Sequence, residues 1–361
     1  LSVNDQQPIG ASLKREFTRI GCWGVVGLAG GSILLGLSRR WQGALQWLVI
    51  AGLIWAFICY QTKRRLPLNR PNPEAPLYNE LGWANRLTLL RSWLIAAVAG
   101  FLFQPWPEGP ALAWLPGMLY LLAAVLDRVD GYVARRTGQS SLLGIELDTL
   151  FDALGLAIAS LLALGYDQVH WSYLLMGTAY YLFHAGILWR NFRGLAVYPL
   201  PPALHRRAWA GFQMGFLAVV LWPMIYPPLS TLAGFAFMLP AVLGFFIDWL
   251  IVSGRINRQA DGVDRRFAQI TQFSQAVLQP ALRVIVVVTL VMSLLQSGLP
   301  PLPAGNLGWM NNVMIGGFIL ASLMVLLGVA GRYFSLILVS LLGWYYMTNP
   351  LLPVDYVLFC S

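Results

Sequence analysis

The chain has 361 residues, of which 58% are hydrophobic and only 11% charged. Soluble domains carry roughly a quarter charged residues, so this composition excludes an ordinary soluble fold and points to a polytopic helical membrane protein. The net charge of +9 rests on arginines in short clusters between apolar runs. Without a lysine-rich arm or a basic stripe interleaved with aromatics, it excludes a nucleic-acid partner and fits membrane topology and phosphate recognition.

Apolar runs near 17–38, 43–62, 86–104, 111–127, 142–165, 171–189, 208–226, 229–253, 276–296, 310–329 and 333–347 predict about eleven spans and an all-α fold. Pro-rich breaks at 105–110, 199–202, 227–228 and 300–303 separate them. The start of the chain lacks the basic-apolar-small pattern of a cleaved signal peptide, so the first run is expected to be retained. Cys22, Cys59 and Cys360 lie far apart and form neither a metal spacing nor a disulfide framework.

Placing the N-terminus in the cytoplasm puts Lys14, Arg15 and Arg19 before the first span and Lys63, Arg64, Arg65 and Arg70 after the second, all inside. Arg128, Arg135 and Arg136, the run from Arg190 to Arg207, and that from Arg255 to Arg266 fall on the same side. Only Arg39 and Arg40 lie outside, where Glu108, Asp167 and Asp355 are also expected. This is the positive-inside pattern. Three zones follow: a two-span extension with a Pro/Asn-rich linker over 1–75, a six-span core over 76–255, and an extension of about three spans over 256–361.

The polar residues that demand an explanation join spans four and five. Asp127, Asp130, Gly131, Ala134 and Arg135 are followed by Ser141, Gly144, Asp148, Asp152 and Gly155. Ionisable groups in membrane helices are costly and mark functional sites. At 100° per residue, Asp127, Asp130, Gly131 and Ala134 share one helical face, and Ser141, Gly144, Asp148, Asp152 and Gly155 share another. Packed together, these faces gather four carboxylates beside a space floored by residues with almost no side chain. Such charges repel unless a cation joins them, and oxygen-only ligands select Mg²⁺ or Mn²⁺. Pairing of a buried carboxylate with a nearby arginine, or a metal-gated ion pathway, remain the competing readings.

The run resembles the signature of the CDP-alcohol phosphatidyltransferases, Asp-x2-Asp-Gly-x2-Ala-Arg-x8-Gly-x3-Asp-x3-Asp, at every fixed position and spacing. The resemblance covers about residues 80–255. Residues 84–91 are similar to the family's entry to its first helix, with Ala84 where a proline is usual. It implies phospholipid biosynthesis with a CDP-alcohol donor such as CDP-diacylglycerol, a small alcohol acceptor and release of CMP. It further implies two Mg²⁺ or Mn²⁺ ions on Asp127, Asp130, Asp148 and Asp152, with Asp152 also the general base. Asn85, Thr88, Gly131, Ala134, Arg135 and Ser141 would hold the CDP portion. A homodimer is also implied; a bacterial inner or plasma membrane is expected, and the basic loops put the active site on the cytoplasmic side.

Arg190, Arg193, Arg206 and Arg207 share the expected side of the aspartates, as an acceptor-phosphate site or as topology determinants. Ala153 stands where the glycerophosphate enzymes usually have lysine. The same motif serves enzymes that transfer from CDP-choline or CDP-ethanolamine to diacylglycerol, and a catalytically silent membrane subunit is a third reading. Asp248 is read as a partner of a loop arginine or part of the cavity, His184 as a hydrogen-bonded interhelical residue, and Glu146 as pointing away from the aspartates toward arginine or headgroups.

Overall fold

The computed structural model describes residues 10–255 apart from 39–40, 110, 139, 201–203, 224, 226 and 228, together with 308–327 and isolated positions among 280–288 and at 338. The described residues form helices and turns and no strand. In order these are α1 (Ala11–Ser38), α2 (Trp41–Arg65), α3 (Gly82–Ala99), α4 (Leu115–Thr137), α5 (Leu142–Gly165), α6 (Leu174–Phe192), α7 (Leu204–Val220), α8 (Leu229–Val252) and α9 (Gly308–Leu327). The expected spans at 276–296 and 333–347 fall almost entirely outside the described residues.

Five described segments are long and apolar enough to cross a bilayer: Ala11–Ser38, Trp41–Leu68, Leu112–Thr137, Leu142–Gly165 and Ser230–Val252. Their outer faces carry exposed Leu34, Leu37 and Leu53, as lipid rather than water requires. The chain is therefore a polytopic helical membrane protein.

One compact unit comprises the chain up to Leu195 with Pro201–Pro223 and Phe237–Phe246. Within it α1 packs on α2, and α2 packs on α3, which also lies against both α4 and α5; α7 packs on α4 and α5, and α6 on α5. Most of α3 from Ala84 to Ala99 is buried, Arg86, Leu87, Leu90 and Trp93 excepted, and the buried residues include Asn85, Thr88, Arg91 and Ser92. A second unit comprises Ala196–Leu200, Met224–Ala236 and Ile247–Ser361. There the Tyr198 amide donates to the Val252 carbonyl at 3.1 Å, where α8 ends.

Local chemistry sets the ends of the two aspartate-bearing helices. Residue 127 was the expected limit of span four, but α4 continues through the charged turn to Thr137. It stops at Gly138, whose φ of 65° suits the left-handed C-terminal cap. α5 begins on Ser141, whose hydroxyl accepts from the Gly144 amide at 3.0 Å. The short connection keeps both helix ends on one side of the bilayer. His184 hydrogen-bonds the Tyr180 carbonyl of its own helix at 3.0 Å, which corrects the interhelical expectation. Glu146 pairs with Arg65 at 3.0 Å, as its outward direction implied.

Candidate active site

The helical arithmetic places Asp127 and Asp130 on α4 and Asp148 and Asp152 on α5, and α3 brings the two pairs together. The agent is Arg91, a residue that sequence reading did not single out. Its guanidinium is almost wholly enclosed, with a side-chain exposure of 2%. Nη1 donates to Asp152 Oδ1 at 2.7 Å and also to Asp127 Oδ1, and Nη2 donates to Asp148 Oδ1 at 2.9 Å. Nε lies 3.9 Å from Asp130 Oδ2. One cation thus touches carboxylates from two other helices, in surroundings where water screens little. The competing reading, that a carboxylate pairs with an arginine, is realised at all four positions.

The four aspartates are not equivalent. Asp127, Asp148 and Asp152 each offer an oxygen, and these atoms lie within 4.8 Å of one another. Asp130 is buried apart from that group and accepts a hydrogen bond from Thr88 Oγ1 at 3.1 Å. Arg91 leaves the cluster with net negative charge, and its donor set is all oxygen. Both properties fit a hard divalent cation such as Mg²⁺ or Mn²⁺. Asp148 and Asp152 keep 48% and 31% side-chain exposure, so the cluster can be reached from outside.

The residues expected to hold a CDP group separate into two sets. Asn85 and Ser141 are buried and bonded to each other, Asn85 Nδ2 donating to Ser141 Oγ at 3.1 Å and to Asn69 Oδ1 at 3.1 Å. Thr88 bonds Asp130. These three clasp α3 to α5 and α4. By contrast Gly131 and Ala134 are only partly covered, and Arg135 is exposed. A Cβ added at Gly131 would meet nothing but the Arg135 guanidinium, at 3.4 Å.

Of the arginines proposed for an acceptor, Arg193 lies over the Trp189 ring at 5.9 Å and Arg190 lies in the last turn of α6. Arg206 and Arg207 lie in the first turn of α7, and their side chains are outside the described residues. Asp248 is buried on the part of α8 that belongs to the second unit. The Tyr120 hydroxyl is enclosed without a hydrogen-bond partner among the described residues, in a small cavity shared with Arg91, Asp127 and Asp152.

Replacing Arg91 by Met keeps the bulk but leaves the carboxylates uncompensated. Breaking a buried ion pair costs about 3–5 kcal/mol, and the partial exposure of Asp148 and Asp152 discounts this toward the lower end. Arg91→Met is therefore expected to lower the unfolding midpoint in detergent by several degrees, with Arg91→Lys falling between. An unchanged midpoint would show that this cluster does not hold the three helices together.

Residues 81–250 match a family model described as CDP-alcohol phosphatidyltransferase, a span reaching from the turn before α3 almost to the end of α8. A CDP-diacylglycerol–glycerol-3-phosphate 3-phosphatidyltransferase of Cereibacter sphaeroides is 36% identical over 95 residues, 25% of this chain and 41% of that protein. A protein of the same name from Salmonella choleraesuis is 32% identical over 85 residues, 24% of this chain and 45% of that one. Choline/ethanolaminephosphotransferase 2 of Arabidopsis thaliana is 38% identical over 71 residues, 19% of this chain and 18% of the plant protein. The chain thus matches less than half the length of each of these relatives. No solved structure matches it. The family model and the relatives agree that residues 81–250 are similar to the CDP-alcohol phosphatidyltransferases, and the carboxylate geometry is consistent with that likeness.

Proposed function

We propose that this protein transfers a phosphatidyl group from CDP-diacylglycerol to a small, phosphorylated alcohol and releases CMP, in a membrane with the carboxylates facing the cytoplasm. The observation that carries the reading is the trio Asp127, Asp148 and Asp152, drawn together on α4 and α5 beside the uncovered Gly131. Two relatives named for glycerol-3-phosphate favour a phosphorylated acceptor. The arginine distribution in the sequence supports the orientation, and a bacterial inner or plasma membrane and a homodimer belong to the same reading.

In this reading the acceptor oxygen attacks the phosphorus that carries the diacylglycerol. A new P–O bond forms, the P–O bond to CMP breaks, and CMP leaves with that electron pair. Asp152 takes the hydroxyl proton as the new bond forms. Mg²⁺ or Mn²⁺, two ions held by Asp127, Asp148 and Asp152 with Asp130, would neutralise the diphosphate charge and ease departure of CMP. Gly131 and Ala134 let the flat nucleoside approach the helix backbone, and Arg135 meets diphosphate oxygens. Asn85, Thr88 and Ser141 would touch CDP only at the edge of the clasp they already form.

CMP release by the full chain in detergent, with Mg²⁺ or Mn²⁺, tests the activity. In Asp152→Asn the proton acceptor is gone while size and one ligating oxygen remain. General-base assistance contributes about 10²–10⁴-fold, so turnover should fall by at least about a hundredfold with donor binding largely kept. Wild-type turnover would remove Asp152 from the mechanism.

Gly131→Leu tests the nucleotide shelf. The space above this glycine is open, so the variant should fold with an unchanged melting midpoint. Its donor KM should rise at least about tenfold, the equivalent of 1.4 kcal/mol. An unaltered donor KM would place the nucleotide elsewhere.

The Arabidopsis relative keeps a second reading in view, in which CDP-choline or CDP-ethanolamine is the donor and diacylglycerol the acceptor. Arg190, Arg193, Arg206 and Arg207, changed singly to Gln, separate the two. Loss of an arginine–phosphate contact costs about 1.5–3 kcal/mol, so at least one change should raise the KM for a phosphorylated acceptor about ten- to a hundredfold. Four silent changes, with turnover on CDP-choline, would establish the second reading.

A further inference from the structure

Helix α3 has two working faces. Asn85, Thr88 and Arg91 look toward α4 and α5, while Arg86, Leu89, Leu90 and Trp93 line a groove toward α1 and α2. Their spacing of three, four and seven residues puts these last four on one stripe. The groove has a volume of about 560 Å³, within the range of about 300–1,000 Å³ usual for small-ligand sites. It lies wholly within the first compact unit and away from the carboxylate cluster.

Its walls are aromatic and its two ends differ. Trp23, Trp55 and Trp93 supply the apolar surface. Trp55 Nε1 donates to the Gly21 carbonyl at 3.0 Å and Trp93 Nε1 to the Gly24 carbonyl at 2.9 Å, so two of the indoles satisfy their polar atoms and turn hydrocarbon to the groove. Glycine makes this possible: a Cβ on Gly24 would lie 2.4 Å from the Trp55 ring, and one on Gly27 would lie 3.0 Å from Trp93. At the other end stand Glu16, Arg19 and Arg86. Arg86 is neutralised by Glu16 at 2.7 Å and Glu80 at 3.0 Å. Arg19 is exposed and has no ion pair among the described residues.

We infer that this groove binds one acyl chain of an anionic glycerophospholipid, with the lipid phosphate on Arg19. The length decides the occupant. From Glu16 to Gly27 the α1 axis advances about 16 Å at 1.5 Å per residue, which is half of the roughly 30 Å hydrocarbon core. The groove therefore runs from a charged mouth at the interface to the middle of the bilayer, the depth of one leaflet. Trp23 and Leu90 remain exposed at its rim, so a chain can enter sideways from the bilayer. Arg86 is held by Glu16 and Glu80, so Arg19 is the cation at the mouth with no ion pair among the described residues, and a phosphate without an amine of its own is the partner that suits it.

The test uses the full chain in phosphatidylcholine nanodiscs and needs no turnover. The probe is phosphatidylglycerol or phosphatidylcholine spin-labelled near the end of one acyl chain. Wild type should immobilise about one labelled phosphatidylglycerol per chain and prefer it to labelled phosphatidylcholine. Arg19→Gln should lower that preference about tenfold, and Leu90→Trp, which fills the groove from its exposed rim, should abolish the immobilised component. Leu53→Trp, at an exposed α2 position outside the groove, should retain it, and melting midpoints confirm that each variant is folded. Full immobilisation in folded Leu90→Trp, or equal immobilisation of the two lipids by wild type, would overturn the proposal. So would a doubled particle mass without immobilised lipid, which would make a second copy of the chain the occupant.

Discussion

The first unit depends on one buried charge. Arg91 takes a guanidinium out of water on a helix otherwise enclosed by apolar neighbours, an expensive placement unless carboxylates meet it. Four do, two from α4 and two from α5. The reverse constraint is as strong, because four carboxylates at the ends of apolar helices repel one another. Each side makes the other tolerable, and the geometry that satisfies both requires α3, α4 and α5 to converge at one level of the bilayer. Thr88 and Asn85 extend the constraint along α3, tying Asp130 and the Ser141 cap of α5 to the same helix.

The aspartate faces were legible because helical period and residue type agree. Asp127 and Asp130 sit one turn apart on α4, as do Asp148 and Asp152 on α5, and the turn between these helices carries a left-handed glycine and a serine cap. Arg91 was not legible in the same way. In a chain whose arginines otherwise mark one side of the membrane, an arginine near the start of an apolar run reads as one more topology signal. The clue was its phase: Thr88 and Arg91 lie three residues apart, so they share a face with each other rather than with Arg86 and Leu90. The unequal standing of Asp130 was also hidden, because which carboxylate turns to a threonine depends on the helix packed above it.

Glycine shows most clearly where reading by residue type stops. Gly131 and Gly144 both belong to the motif, and both read as places where something must come close. At Gly131 the space is open apart from the end of Arg135, as a surface for a ligand requires. At Gly144 a Cβ would lie 2.7 Å from Asn85 Oδ1, so that glycine seats a neighbouring helix. Substrate approach and helix approach leave the same mark in a sequence. Only the identity of the atom opposite tells them apart.

The same logic assigns α1 and α2 a physical role. A helix that buries a charged face toward the aspartates of α4 and α5 must still cover its other side. On α3 that side carries Trp93, whose ring Gly27 of α1 approaches closely and whose Nε1 donates to the Gly24 carbonyl. Closer packing there would need smaller residues than tryptophan, and looser packing would leave α3 free to tilt and carry Arg91 with it. The two N-terminal helices thus buttress the helix that carries Arg91, and the arginine–aspartate distances depend on packing well outside the motif.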